Sequence, residues 1–338
     1  MKKILLAISI ICISVALTTC FSPWDGDSGN LSIYWGSAKG GRAWTPTPLG
    51  EDWKSFNYTV TLKGPGTTVE ETFANGVPGA TFKLPPGTWS VTIKGTKIFE
   101  IGHLTEYFIM GIEQIEVKPG KKSTAQVTMY NAYEITDWSE LNESAYPPPL
   151  WSSLPSNRPI MFLIANDLKA DTSSVAGGEL LIGRHCFFVA EKDVVIGRAN
   201  ADNQREFFRI TGNSVVTLGK PGMSGTITFD SEGMELDGGI SCLIDFAAST
   251  NNTLEMNDGV TIKGGKFTSS FGAAVNITGG CIGVVEAFIM NGGVITDNHV
   301  IFSGPGPASG GGVIVGNTSI FEWNGGYIYG NTPHNVYP

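Results

Sequence analysis

Leu254-Glu-Met-Asn-Asp-Gly-Val-Thr-Ile262, Phe288-Ile-Met-Asn-Gly-Gly-Val-Ile-Thr296 and Phe321-Glu-Trp-Asn-Gly-Gly-Tyr-Ile-Tyr329 are one phrase written three times. Each copy has large side chains at i and i+2 (Leu254/Met256, Phe288/Met290, Phe321/Trp323), which places both on one face of a short strand. Asn followed by Asp-Gly or Gly-Gly then turns the chain, because these residues tolerate positive φ. A second extended piece follows. Asn-Gly between apolar runs also reads as a hairpin. Recurrence at a near-constant spacing argues for a solenoid, in which each copy pairs with the next.

Following the repeat backwards through the last residue of the first strand gives Leu163, Val189, Ile210, Phe229, Met256, Met290 and Trp323, at intervals of 26, 21, 19, 27, 34 and 33 residues. These spacings predict about seven coils of parallel strand, rising by about 4.8 Å each and spanning roughly 30 Å. The long intervals are explained by insertions, notably His299 to Ser309 with Gly304-Pro-Gly-Pro307. No window from 160 to 338 holds a sustained i, i+3, i+4, i+7 pattern of an amphipathic helix, which argues against helical repeats. Met256, Met290 and Trp323 are expected to stack in the interior.

Composition agrees. With 44 Gly in 338 residues and only 16% charged residues, the chain is turn-rich and β-leaning, while 41% apolar residues can bury a sizeable core. The formal charge is −9. Removing Lys2 and Lys3 with a leader brings it to −11 and argues against nucleic acid and against a polybasic membrane role.

Residues 1–19 read as an export signal, with Lys2-Lys3 as the positive end and Ile4 to Leu17 as an apolar stretch too short to span comfortably. Leu17-Thr-Thr-Cys20 resembles the bacterial lipoprotein signal, although Thr19 replaces the usual small residue; plain secretion with a leftover Cys is the other reading. The resemblance implies lipid on Cys20 and a membrane-anchored exported protein, and Phe21-Ser22 after it leans towards the outer membrane or cell surface. Cys186, Cys242 and Cys281 are left in the body, an odd count that is no disulfide framework. They read as buried small hydrophobes, with one disulfide between coils as the alternative. No Cys-x-x-Cys exists and the four His are scattered, so neither zinc nor any cofactor is expected.

After a tether over 20–30, residues 31–130 carry short strands: Leu31 to Trp35, Phe56 to Leu62, Ala80 to Leu84, Trp89 to Ile93, Tyr107 to Val117 and Ser123 to Met129. Turns at Gly64-Pro-Gly, Pro85-Pro-Gly and Lys118-Pro-Gly separate them, the spacing of a β-sandwich. Leu84-Pro-Pro-Gly-Thr-Trp-Ser-Val-Thr-Ile93 resembles the Gly-turn strand of prealbumin-like and carboxypeptidase-regulatory-like sandwiches of Ig-like build. Trp35 and Trp89 are expected in its core, with Trp44 and Trp53 over a loop; stacking of loop aromatics on sugar is the functional alternative. Residues 131–155 form the linker, in which Thr136-Asp-Trp-Ser-Glu-Leu141 carries a helix-start signal and predicts a short helical cap over the open end of the solenoid at 156–338.

The Asn-Gly-Gly phrases, Gly310-Gly-Gly-Val-Ile-Val315, the Thr136–Leu141 start and the ending Gly330-Asn-Thr-Pro-His-Asn-Val-Tyr337 together resemble the right-handed parallel β-helix proteins of pectate-lyase-like fold, in particular bacterial surface lipoproteins. The fold class so implied is all-β: a sandwich, then a right-handed parallel β-helix. Enzymes of that family cluster acids and bases, with paired Asp and Gly-His-Gly in hydrolases and Ca²⁺-binding carboxylates with an Arg or Lys base in lyases. Here no Asp-Asp and no Gly-His-Gly occurs, and Asp230, Asp237, Asp245, Asp258 and Asp297 are scattered, with Asp230 and Asp258 read as corner residues. Asp297-Asn298-His299 is the surviving candidate site, against a solvated turn. Asn257, Asn291 and Asn324 recur at one corner and are expected to form a structural ladder. Gly177-Gly178, Gly264-Gly265 and Gly279-Gly280 lack the following residues of a phosphate loop. The reading is a non-enzymatic lipoprotein contacting a glycan or a surface or host protein; the alternative is a polysaccharide lyase or hydrolase.

Overall fold

Alternation decides the strands. In Thr253–Met256 and again in Ala287–Met290 the second and fourth residues are buried while the first and third are half-exposed. The structure is a computed structural model describing residues 28–35, 53–142 and 158–337, apart from 102, 171–179, 200–205, 234, 238–241, 247–250, 270–279, 285, 303–310 and 316–318. The export signal with Cys20, the insertion at 304–307 and residues 177–178 therefore lie outside the described residues, as do Trp24 and Trp44. The chain is all-β, and parallel sheets make up its carboxy-terminal part.

A long sheet of 11 strands runs through the molecule. Its antiparallel part comprises Thr67–Phe73, Asn57–Gly64, Gly87–Ile101 and His103–Val117. Tyr130–Ile135 is the joint, antiparallel to His103–Val117 on one side and parallel to Ile160–Ile164 on the other. Thus part of the stretch read as linker is a strand, and so is Thr67–Phe73, which sequence left unassigned. Charged Glu70 and Glu71 hid it, because an edge strand need bury little. Gly29–Tyr34 pairs with Gly79–Leu84 and Lys122–Gln126 in a separate three-stranded sheet. Residues of this sheet and of the long one share a core containing Leu31, Trp35, Tyr58, Val60, Trp89 and Ile93. Trp89 lies so close over Gly64 that a Cβ there would sit 2.3 Å from its ring, and its Nε1 donates to the Pro85 carbonyl at 2.9 Å.

Beyond the joint the long sheet continues as six parallel strands, Ile160–Ile164, Cys186–Val189, Val215–Leu218, Thr253–Met256, Ala287–Met290 and Ile320–Trp323. A second parallel sheet, termed here the groove sheet, stacks Leu168–Ala170, Val194–Arg198, Ile227–Asp230, Val260–Lys263, Val294–Thr296 and Tyr327–Tyr329. A third orders Leu181–Ile182, Phe208–Ile210, Cys242–Phe246, Gly280–Val284, Val313–Val315 and Val336–Tyr337. Glu235–Asp237, Lys266–Ser269 and His299–Phe302 form a short fourth.

These registers correct the sequence markers. Phe162, Phe188, Leu218, Met256, Met290 and Trp323 are the residues in line, whereas Ile210 belongs to the third sheet and Phe229 to the groove sheet. Among the described residues the three larger parallel arrays stack six strands each after the joint, where the spacing predicts about seven, and the short fourth holds three. Short strands of equal polarity look alike by period, so the markers mix strands of three sheets. Trp323 is a second correction: it pairs with Met290 but is 51% exposed, because it stands in the outermost of these strands, with no further described strand over it.

The sheets face one interior. Phe188 of the long sheet stacks on Phe208 of the third at 5.7 Å, and Phe208 meets Phe229 of the groove sheet at 6.1 Å. The predicted helical cap is reduced to a single 3-10 turn, Trp138–Leu141. Its capping box is present on Asp137, with Ser139 N–H donating to Asp137 Oδ1 at 2.9 Å and Asp137 N–H to Glu140 Oε2 at 3.3 Å. Trp138 and Leu141, three apart, are the two apolar residues to bury, a spacing that three residues per turn satisfies, and both join the core of the parallel sheets.

Candidate functional site

The corner between the long sheet and the groove sheet is built by the repeated phrase. Asn257 Nδ2 donates to the Gly219 carbonyl at 3.2 Å, Asn291 Nδ2 to Asn257 Oδ1 at 3.4 Å, and Asn324 Nδ2 to Asn291 Oδ1 at 3.1 Å. The structure thus joins all three in one file. Behind them Gly259, Gly293 and Gly326 take φ of 82°, 87° and 83°. A Cβ on Gly293 would lie 2.6 Å from the Met256 methyl, so neither the angle nor the space admits a side chain.

Removing side chains from a corner leaves a hollow. A cavity of about 570 Å³ opens there, bordered by Thr226, Asp258, Thr261, Asn291, Val294 and Tyr327 over the glycine file. Asp258 is not at the ladder position but one residue after it; its Oδ1 accepts from Gly293 N–H at 3.4 Å. Asp230, also read as a corner residue, instead closes a groove-sheet strand, where it pairs with Lys263 at 3.1 Å. Tyr327 is 70% exposed at the rim, and Tyr329 also faces outward, with Ile328 between them buried. The signal for both tyrosines was in the sequence, since Tyr-Ile-Tyr alternation with an inward Ile sends both rings out.

Asp297, Asn298 and His299 are divided rather than gathered. Asp297 has φ 56°, the left-handed conformation that Gly264 and Gly330 take at the matching positions of neighbouring strands. Asn298 is fully buried: Nδ2 donates to the Thr296 carbonyl and to Asn331 Oδ1, both at 2.9 Å, while Oδ1 accepts from Gly265 N–H at 2.9 Å. His299 is exposed and its Nδ1 lies 2.7 Å from Thr332 Oγ1. No hydrogen bond joins Asp297 to His299 among the described residues. The triplet is a turn with a buried strut, and Asn298–Asn331 is a second file of amides that sequence reading did not find.

A buried charged group is also new. Arg198 and Glu206 are both 1% exposed. Arg198 Nε donates to Ser231 Oγ at 2.9 Å and its guanidinium lies 4.8 Å from the centre of the Phe207 ring. Burial lowers its pKa to about 10, with the Glu206 carboxylate opposing the shift. Both are closed off from the groove face. Cys186 is buried, and burial pushes its thiol pKa up, with Arg184 acting the other way. No group of three His, Cys, Asp or Glu is placed to hold a metal among the described residues.

Hydroxyl, amide, one carboxylate and an exposed aromatic ring around a hollow are equipment for hydrogen bonding and stacking. Comparison of the chain with protein families, with characterised proteins and with solved structures finds no match in any of the three.

Proposed function

We propose that the chain is a non-enzymatic exported lipoprotein whose parallel sheets wind into a right-handed parallel β-helix behind an amino-terminal β-sandwich, and that it uses the groove face for contact with a glycan or a surface protein. The observation that carries the reading is the border of the groove, where among the described residues Asp258 supplies the one carboxylate, beside amides, hydroxyls and an aromatic ring. Acid-base cleavage of a glycosidic bond needs a second group at a set distance. The winding is supported by three sheets that share strand order and meet ring to ring inside. The lipoprotein part rests on Lys2-Lys3, the apolar run Ile4 to Leu17 and Cys20.

The test is a panel of acidic and neutral polysaccharides, with and without Ca²⁺, followed for new reducing ends and for unsaturated uronates. No turnover is expected. Turnover abolished in Asp297→Ala or Asp258→Ala would establish a lyase or hydrolase instead.

A further inference from the structure

The groove face has a selectivity of its own, and naming it rests on the surface-contact reading above. We propose that the hollow over Gly259, Gly293 and Gly326 is a subsite for a neutral glycan, with Tyr327 as the stacking platform and Asp258 as the acceptor for sugar hydroxyls. Four observations converge on it.

The first is shape. Thr228, Thr261, Val294 and Tyr327 are in register on neighbouring parallel strands and point outward in one row. Three strand spacings of about 4.8 Å make that row roughly 14 Å long, an elongated trough rather than a point contact. Small side chains line it until Tyr327 closes the end. A glycine file at its edge lets a sugar ring approach the backbone, and a volume of about 570 Å³ lies in the range of small-molecule sites.

The second is the aromatic ring. Tyr327 is 70% exposed, a large apolar surface left in water beside polar groups. A pyranose offers the matching combination, an apolar C–H face for the ring and hydroxyls at its edge.

The third is unused hydrogen-bonding capacity. Asp258 Oδ1 takes the single long contact from Gly293 N–H, and among the described residues Oδ2 has no partner. The Thr261 hydroxyl on the same trough also has none among them. Asn291, engaged on both sides by Asn257 and Asn324, keeps one N–H for a ligand.

The fourth is charge, which separates neutral from acidic sugars. A uronate brought into the trough meets Asp258, a like charge. The cations on the same outward face are committed elsewhere: Lys263 pairs with Asp230 at 3.1 Å and Lys169 pairs with Glu232. Among the described residues no lysine or arginine borders the hollow. Carboxylated chains therefore find repulsion without compensation, and hydroxylated neutral chains find an acceptor.

The experiment is calorimetric titration of the mature chain with cellohexaose, maltohexaose and chitohexaose as neutral probes and hexagalacturonate as the acidic one. At least one neutral probe is expected to bind saturably, at least tenfold more tightly than hexagalacturonate. Tyr327→Ala should weaken it tenfold or more and Tyr327→Phe less than threefold, with melting temperatures unchanged because the side chain is at the surface. Asp258→Asn should narrow the gap between neutral and acidic probes. Absence of binding by all three neutral probes at millimolar concentration overturns the proposal, as does tighter binding of hexagalacturonate. Binding undisturbed in both Tyr327→Ala and Asp258→Asn places the sugar elsewhere and overturns this subsite while leaving surface contact standing; cleavage of a probe overturns that broader reading.

Discussion

The side-chain amide of Asn298 donates to Oδ1 of Asn331, 33 residues further along the chain, at 2.9 Å, and both residues are buried. Two consecutive strands of the groove sheet are thereby tied at their ends by groups that have no water to fall back on. A buried donor or acceptor left without a partner costs about 1–3 kcal/mol. Asn298→Ala strands the Gly265 N–H and the Thr296 carbonyl together, so a loss of about 2–4 kcal/mol is expected in urea denaturation. Asn291→Ala, on the exposed file, should lose about 1 kcal/mol or less, since water can replace its bonds. Equal losses would contradict the difference in burial.

Met290 and Trp323 share a register but not an environment. Met290 is fully buried, so Met290→Ala should cost about 2–5 kcal/mol and Met290→Lys should prevent folding by burying an unpaired charge. Trp323→Ala, at an exposed strand, is expected to cost about 1 kcal/mol or less. Thermal melts of the three variants decide it, and a folded Met290→Lys with an unchanged midpoint would refute the placement.

Asp297 occupies a left-handed turn position whose counterparts are glycines. Asp297→Gly should therefore leave stability within about 0.5 kcal/mol, whereas Asp297→Ala should lose about 1 kcal/mol because alanine resists positive φ. A large loss in the glycine variant would mean that the carboxylate itself does something the geometry does not display.

Cys186 links stability to pH. Burial raises its folded pKa above that of the unfolded thiol, about 8.5. The sign follows: the folded chain keeps the proton where the unfolded chain loses it, so the thiol's contribution is complete below about pH 8.5 and is lost as pH rises beyond it, at up to about 1.4 kcal/mol per pH unit. Stability of the wild type should fall more steeply above pH 9 than that of Cys186→Ala, and native Cys186 should resist iodoacetamide until the chain unfolds. Rapid alkylation of native Cys186 would contradict its burial.

Anchoring is tested separately. On the proposed lipidation of Cys20, whose acyl chains would contribute about 0.8 kcal/mol per buried CH₂, Cys20→Ser is expected to move the protein from the membrane to the soluble fraction. Retention of that variant in the membrane fraction would point to a protein partner as the anchor.

What could be read from sequence, and what could not, divides along physical lines. The strands were legible because period-2 alternation is a local property: Leu254/Met256 and Phe288/Met290 are buried as their spacing requires. Parallel pairing was legible because the phrase recurs. Membership of Ile210 and Phe229 in one sheet or another was not, since every sheet offers the same alternation and only register separates them. The file of Asn257, Asn291 and Asn324 stands out because Asp-Gly or Gly-Gly follows each Asn, while Asn298 and Asn331 sit in Asp-Asn-His and Gly-Asn-Thr, phrases that share one residue. Asp258 was read as a corner residue, and its place at the hollow depends on how three turns stack, which no single turn encodes. Arg198 and Glu206 gave no sign of burial, because charged residues read as surface unless their partners are known.

Binding without turnover is the claim most directly open to measurement, and one sample suffices. The mature chain is held with the neutral hexasaccharide it binds best, and bound ligand and new reducing ends are followed together over a day. Saturable binding is expected, weakened by Tyr327→Ala, with reducing ends at the level of a protein-free control. Reducing ends that rise with time and vanish in Asp258→Ala would contradict it.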